Sequence, residues 1–391
     1  MSTITITRKI KLEPTQEQDR LLQESCQKYV DACNFIAQWI FDHKTLTMKK
    51  INNEIYTTVR KDFSLPSQMA QSAMRSVIAS YRTIHATQKK WSIKPTFRRS
   101  KMDYVWNRDY SINKTTKDFS INTINGRIKV FTCWTGNGKF SSEEKYGTAT
   151  LQYKRGKWIL HLPVTVDVGD ISLEDISNVV GVDVGINFLA TSYDSKGHTT
   201  FYKGRRVKDK RAHYQKLRSE LQSKGTRSAK KRLASIGSRE NRWMNDVNHC
   251  VSKALVDDAG KNSLIVLEDL TGIRSATEKF RKKDKYVSVS WAFYDLRQKI
   301  EYKAHMSSCL TVAVNPAYTS QKCPKCGYAS KLNRDKKLHI FTCGKCGYTS
   351  NDDRIAAMNL HSMGIQYRMQ CCEDISSQQG CCQSPYDVLT F

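Results

Sequence analysis

The stretch "CPKCGYASKLNRDKKLHIFTCGKCGY" constrains this chain more than any other, because it holds Cys323, Cys326, Cys343 and Cys346 as two CxxC pairs separated by sixteen residues. Gly-Tyr follows each pair, as Gly327-Tyr328 and Gly347-Tyr348. Two tight knuckle turns of this kind converge four thiolates on one soft divalent ion, and four unrelated buried thiols would have no reason to repeat CxxCGY. Residues 321–349 are therefore expected to form a zinc ribbon. Four sulfurs close the coordination sphere, so the Zn²⁺ is expected to be structural and to leave no position for substrate.

The remaining cysteines lack this grammar. Cys371-Cys372 and Cys381-Cys382 are adjacent pairs in a Gln- and Ser-rich segment, and residues 365–391 are expected to be a mobile tail. Cys26, Cys33, Cys133, Cys250 and Cys309 read as small hydrophobes. Thiols and metal ligands in place of disulfides imply a reducing compartment, here the cytoplasm. The opening "MSTITITRKIKLEP" has no continuous apolar core of the signal-peptide kind. No apolar run reaches the roughly 18 residues that a membrane span needs.

Lys and Arg outnumber Asp and Glu by 64 to 37, a formal net charge of +27 over 391 residues. Such an excess repels itself unless a polyanion is bound, and nucleic acid is the expected one. The richest basic run, residues 202–248, reads by itself as a solvated helix face. In this chain a surface contacting phosphates is the better reading.

A chain of this length is expected to divide into domains. Ile4, Ile6, Ile10 and Leu12 alternate as on a half-buried strand whose face Arg8 interrupts. Thr15 and Gln18 then form a capping-box signature before Leu22, Cys26, Tyr29, Cys33, Ile36 and Ile40 recur at helical spacing. A second helical stretch starts past Pro66, with Met69, Ala73, Val77 and Ile84 available for a core. From about 97 to 170 short alternating runs, punctuated by Asn125-Gly126 and Arg155-Gly156, indicate antiparallel β-structure. A β domain (1–14 and 91–172) interrupted by a helical insertion (15–90) follows from this order.

Three acidic positions stand out in the C-terminal half. In "NVVGVDVGINFLATSYDSKG" alternation sets Val180, Val182, Val184 and Ile186 on one face of a strand and Gly181, Asp183 and Gly185 on the other, where another backbone or a polyanion can approach closely. The strand "NSLIVLEDL" is apolar on both faces and ends in Glu268-Asp269. Asp352 and Asp353 open a helix whose apolar stripe is Ala356, Leu360 and Met363, with Gly364 as a C-terminal cap. Each carboxylate taken singly suits a turn or a helix cap. Together, in a very basic chain, they suggest hard oxygen ligands for Mg²⁺ or Mn²⁺ acting on a phosphodiester.

These motifs resemble the TnpB (OrfB) family of RNA-guided DNA endonucleases, relatives of type V CRISPR effectors. The resemblance covers about residues 1–364. It rests on "GVDVGINFLATSYDSKG", "LIVLEDLTGIR", "SWAFYDLRQKIEYKA" and "VNPAYTSQKCPKCG" running into "DDRIAAMNL", and "LPSQMAQSAMRSV" and "KPTFRR" also fit. It implies an α/β multidomain fold in which an RNase H-like RuvC nuclease domain (173–320 and 350–364) carries the inserted ribbon. Asp183, Glu268 and Asp353 are then the catalytic ligands of two Mg²⁺ (or Mn²⁺) ions. Asp353 is preferred to Asp352 because it occupies the Asp of the family's DxNAA pattern, here "DRIAA". Ile355 replaces the usual Asn, and Asp295 stands where the family is expected to have Gln.

The resemblance further implies a structured guide RNA, bound across the β domain and the nuclease domain, and a double-stranded DNA target beside a short flanking motif. The implied activity is RuvC-type hydrolysis of DNA by a protein acting as one or two copies. Competing readings are a guided DNA-binding repressor, a miniature CRISPR effector using a CRISPR-derived guide, and a plain transposase. The first requires loss of a carboxylate, and all three are present; the last is disfavoured by the order of the motifs.

Overall fold

The structure is a computed structural model that describes residues 2–87, 91–98, 100–113, 115–116, 118–132, 144–185, 188–203, 205–269, 292–376 and 388–389. Ile186, Cys133, Cys381 and Cys382 lie outside the described residues. The chain divides into two units between Asp167 and Val168.

The N-terminal unit contains β1 (Ser2–Glu13), α1 (Gln16–His43), α2 (Met48–Asp62), α3 (Ser67–Ala86), β2 (Lys101–Tyr104), β3 (Tyr110–Asn113), β4 (Asp118–Thr123), β5 (Gly126–Thr132), β6 (Lys145–Tyr146), β7 (Ala149–Lys154) and β8 (Lys157–Val168). Its sheet runs β2-β7-β8-β1-β5-β4-β3, with β6 added on β8. Period-2 alternation on β1 turns Ile10 and Leu12 into the core. Arg8, on the same face, is matched by a two-pronged pair with Glu144, Nη1 to Oε2 at 3.0 Å. The charge that breaks the pattern in sequence is thereby paired in the fold.

The Thr15/Gln18 capping box starts α1, and all six residues of its helical stripe are buried. Arg155-Gly156 takes positive φ at both positions between β7 and β8, the geometry of a tight hairpin turn. Helix α2 is an addition to the reading of the sequence. Its signal is the i, i+4 repeat Ile51, Ile55 and Val59, all buried.

The C-terminal unit contains β9 (Asn178–Asp183), β10 (Phe188–Asp194), β11 (Thr199–Lys203), α4 (Arg205–Lys224), α5 (Arg227–Ile236), α6 (Arg239–Ala259), β12 (Ser263–Glu268), α7 (Ala292–Met306), β13 (Leu310–Val314), β14 (Arg334–Asp335), β15 (Ile340–Thr342), β16 (Thr349–Asn351), α8 (Asp352–Ser376) and β17 (Val388–Leu389). Its main sheet has the order β11-β10-β9-β12-β13-β17. Antiparallel pairing joins β11, β10 and β9, and parallel pairing joins β9, β12, β13 and β17. Helices cover both faces. Leu255, Val256, Leu296 and Ile300 of α6 and α7 pack on Val180, Val182, Ile265 and Leu267. Leu360, Tyr367 and Cys371 of α8 pack on Val179, Leu264, Val266 and Val314.

Two glycines let α8 lie close on the sheet. A Cβ on Gly181 would fall 2.1 Å from the Ala357 carbonyl oxygen and 2.3 Å from the His361 nitrogen. On Gly364 it would fall 2.3 Å from a methyl of Val266 and 2.8 Å from one of Val179. Gly364 is therefore a packing contact inside the helix, which continues to Ser376, and not the C-terminal cap expected from the sequence. The first part of the expected mobile tail is thus helical. A stripe at 360, 364, 367 and 371 was hidden there by polar composition.

Among the described residues, no helix is long and apolar enough to cross a membrane.

Candidate active site

The ribbon builds two matching knuckles. Gly327 N–H donates to the Cys323 carbonyl and Gly347 N–H to that of Cys343, both at 2.9 Å. Cys323 and Cys343 N–H donate in turn to the Tyr328 and Tyr348 carbonyls, again at 2.9 Å. Both glycines take positive φ, +73° and +70°, which accounts for the repeated CxxCG. The four sulfurs lie within 4.8 Å of one another, with Cys323 to Cys346 at 3.7 Å and Cys326 to Cys343 at 3.5 Å. A tetrahedron with Zn–S bonds of about 2.3 Å has edges of about 3.8 Å, so the cluster fits zinc.

Parallel pairing of β9 with β12 sets Leu267 opposite Val182. Asp183 and Glu268, the last residues of adjacent strands, therefore leave the sheet side by side on the face that α8 covers. The close approach at Gly181 seats the start of α8 there as well. Asp183 keeps part of its surface open, and its carboxylate has no hydrogen-bond or ion-pair partner among the described residues. Burial, reinforced by the charges of Glu268 and Asp353, raises Asp183 well above the ordinary carboxylate range, with Arg334 pulling the other way.

Glu268 is also raised by burial, against an opposing hydrogen bond from Thr319 and the charge of Arg334. The Thr319 hydroxyl donates to Glu268 Oε1 at 2.7 Å. Thr319 was not singled out in the sequence; only its place just before the ribbon could have flagged it.

The two helix-start aspartates separate cleanly. Asn351 caps α8, its Oδ1 accepting from Asp353 N and Arg354 N at 3.1 Å each. Asp352 is fully buried and accepts from Arg334 Nε at 2.7 Å and from the Asp353 amide at 3.0 Å. The Asp353 carboxylate has no hydrogen-bond partner among the described residues, and burial and the Asp352 charge raise it while His339 and Arg334 oppose. The cap reading of these aspartates thus gives way to Asn351. His339, Asp352 and Asp353 offer ligand atoms within 4.8 Å of one another, whereas Asp183, Glu268 and Asp353 are not gathered within that distance; Glu268 and Asp353 are near enough for their charges to act on Asp183.

The two departures noted in the sequence have structural explanations. Ile355 is fully buried with Cys323, Phe341 and Cys343, tying α8 to the ribbon. Asp295 accepts from Asn248 Nδ2 at 2.8 Å and pairs with Lys299. Part of the basic run is structural too, since Arg211 and Arg218 pair with buried Glu240. Lys208, Lys216, Lys230, Lys231 and Arg232 remain exposed on α4 and α5.

Two family models match the chain, one described as "Probable transposase" (OrfB_IS605) over residues 161–272 and one as "Cas12f1-like, TNB domain" over residues 293–360. A CRISPR-associated endodeoxyribonuclease Cas12f1 of Syntrophomonas palmitatica is 30% identical over 220 residues, 52% of this chain and 42% of that protein. A TnpB-like protein of Methanocaldococcus jannaschii is 29% identical over 201 residues, 49% of this chain and 70% of the other. The chain thus spans about half the length of the Cas12f1 relatives it matches. A solved Cas12f1–sgRNA–target DNA complex shares the fold with a TM-score of 0.55 at 13% identity, covering 92% of this chain and 99% of that one.

Proposed function

We propose that this chain, a relative of the TnpB (OrfB) proteins and of type V CRISPR effectors, is an RNA-guided, divalent-metal-dependent endonuclease. Its substrate is double-stranded DNA next to a short flanking motif. The observation that carries this reading is the convergence of Asp183, Glu268 and Asp353, two of them without hydrogen-bond partners among the described residues, at one end of a basic unit. Buried like-charged carboxylates without donors are costly unless a cation joins them. Hard oxygens without sulfur or several imidazoles suit Mg²⁺ or Mn²⁺.

The sheet supports an RNase H-like (RuvC) reading. Three antiparallel strands are followed by three parallel ones, and Asp183 and Glu268 sit at strand C-terminal ends, where α/β sheets commonly bind ligands. Asp183, Glu268 and Asp353 would hold the ions, which supply water activation and stabilisation of the leaving oxygen. Arg334 offsets part of the repulsion among the carboxylates and keeps Asp352 engaged as its partner. Exposed Lys and Arg on α4 and α5 supply phosphate contacts, so affinity for nucleic acid should fall steeply with salt. In such a protein, sequence is read by base pairing with a guide while the chain reads helix shape and the flank.

The test is purification of the chain co-expressed with its flanking DNA, sequencing of the RNA that accompanies it, and cleavage of a plasmid carrying the matching target. Mg²⁺-dependent cutting guided by that RNA is expected. An intact plasmid with the RNA bound would overturn the reading in favour of a guided repressor, and the origin of the RNA separates transposon from CRISPR guidance.

A further inference from the structure

The hydrogen bonds around Glu268 lead directly into the ribbon. Thr319 is 5% exposed and lies in the segment between β13 and Cys323. Its hydroxyl is 2.7 Å from Glu268 Oε1 and 3.1 Å from the Pro316 carbonyl oxygen. It has one proton to give, and the shorter, charge-assisted bond to the carboxylate is the stronger. The backbone of the same residue is held as well. Asn359 of α8, itself buried, donates from Nδ2 to the Thr319 carbonyl at 2.6 Å and to the Lys322 carbonyl at 2.8 Å. Lys322 immediately precedes Cys323, whose sulfur belongs to the four-thiol cluster.

The structure assigns Thr319 as the positioning residue for Glu268: its hydroxyl fixes the carboxylate, and Asn359 fixes that hydroxyl by clamping the segment that enters the ribbon onto α8. Glu268 and the segment that enters the ribbon are then one hydrogen-bonded unit. Glu268 ends a strand and its side chain has rotamers to lose, so an oriented carboxylate binds a cation more tightly than one that must be ordered on binding. Asp183 and Asp353 lack such a donor among the described residues, which makes Glu268 the one carboxylate of the three with a set orientation.

This inference rests on the metal-site reading proposed above, and its test separates the two. The full chain, zinc-loaded and stripped of nucleic acid, is titrated with Mn²⁺ and free ion is followed by electron paramagnetic resonance. Zinc content and circular dichroism of each variant are checked in parallel. Thr319→Val keeps the shape and removes the hydroxyl; it should weaken Mn²⁺ binding about tenfold, in the range expected for a group that orients a ligand. Thr319→Ser keeps the hydroxyl and should stay within about twofold of the unaltered chain by the same argument. Thr319→Ala serves as a second variant lacking the hydroxyl, in case valine disturbs folding.

Asp183→Ala is the control for the site itself. If it leaves Mn²⁺ binding unchanged, the metal-site reading fails, and this inference with it. If Asp183→Ala abolishes binding while the valine and alanine variants bind as the unaltered chain does, the role of Thr319 is overturned and the site stands. Equal weakening by Thr319→Ser and Thr319→Val would also overturn it, because packing and not the hydroxyl would then be responsible.

Discussion

The ribbon and the carboxylate cluster, the two proposed metal sites, lie on neighbouring elements of the same unit and are built on opposite principles. In the ribbon, the four sulfurs come from two copies of one knuckle, each closed by the same pair of 2.9 Å backbone hydrogen bonds. Nothing is left over for a substrate. In the carboxylate cluster the side chains come from the ends of β9 and β12 and the start of α8, and among the described residues only Glu268 is held by a side-chain donor. Burial raises all three acids, with the charges of Glu268 and Asp353 adding to it at Asp183 and that of Asp352 at Asp353. The first arrangement satisfies its own backbone, and the second leaves buried acids raised without full compensation, as functional sites often do.

The comparison is broken most severely at the ribbon. Cys343→Ser should remove zinc, because a structural zinc site of this type contributes about 10–16 kcal/mol of apparent binding energy that is also folding energy. Zinc content by mass spectrometry should fall to near zero, with a large drop in melting temperature. Retention of zinc at full occupancy would show that fewer than four thiolates suffice.

Next in size is the contrast between adjacent aspartates. Asp353→Asn should lower cleavage by about a thousandfold, corresponding to roughly 4 kcal/mol of lost stabilisation of transition-state charge, with little change in melting temperature. Asp352→Asn should instead cost about 1–3 kcal/mol of stability, because Arg334 loses its charged partner. Thermal melts and single-turnover cleavage on both variants would expose a reversed assignment.

Gly181→Ala sharpens the geometric side. A methyl directed at the backbone of α8 should cost about 1–3 kcal/mol and lift the helix start. Gly364→Ala should cost less, since it meets side-chain methyls of Val266 and Val179, and Val266→Ala should relieve it. A larger loss for Gly364→Ala than for Gly181→Ala in denaturant melts would contradict this packing.

The smallest effect concerns pH. Asp183 has a folded-state pKa above its unfolded value, so its contribution to stability is present in acid and lost as pH rises through the raised value. Without added Mg²⁺ or Mn²⁺, the gain in melting temperature from Asp183→Asn should be small near pH 4 and grow toward neutrality. A gain that shrinks over that interval would place Asp183 in a compensated environment.

How much of this was legible in the sequence follows from how local each determinant is. The knuckles, the Thr15/Gln18 cap and the Arg155-Gly156 turn are set within a few residues and could be read directly. Asp183 could be seen to face away from the apolar side, but its proximity to Glu268 depends on parallel pairing of β9 with β12, and spacing does not encode that. The helical continuation past Gly364 was obscured because glycine there serves close contact of the helix with the sheet instead of termination. Assigning Asp352 to Arg334 needed the ribbon folded against the helix start. The residues by themselves supplied three acidic sites to be taken together; the resemblance to a family selected Asp183, Glu268 and Asp353 from them.

The most direct test of the central claim compares the chain with Asp183→Ala, each purified with its RNA at equal occupancy, on a matched DNA target in Mg²⁺. Loss of cutting with binding of RNA and DNA unchanged within about twofold is predicted, since the substitution removes a metal ligand and no phosphate contact. Cutting at the unaltered rate, or a loss of binding that matches the loss of cutting, would contradict it.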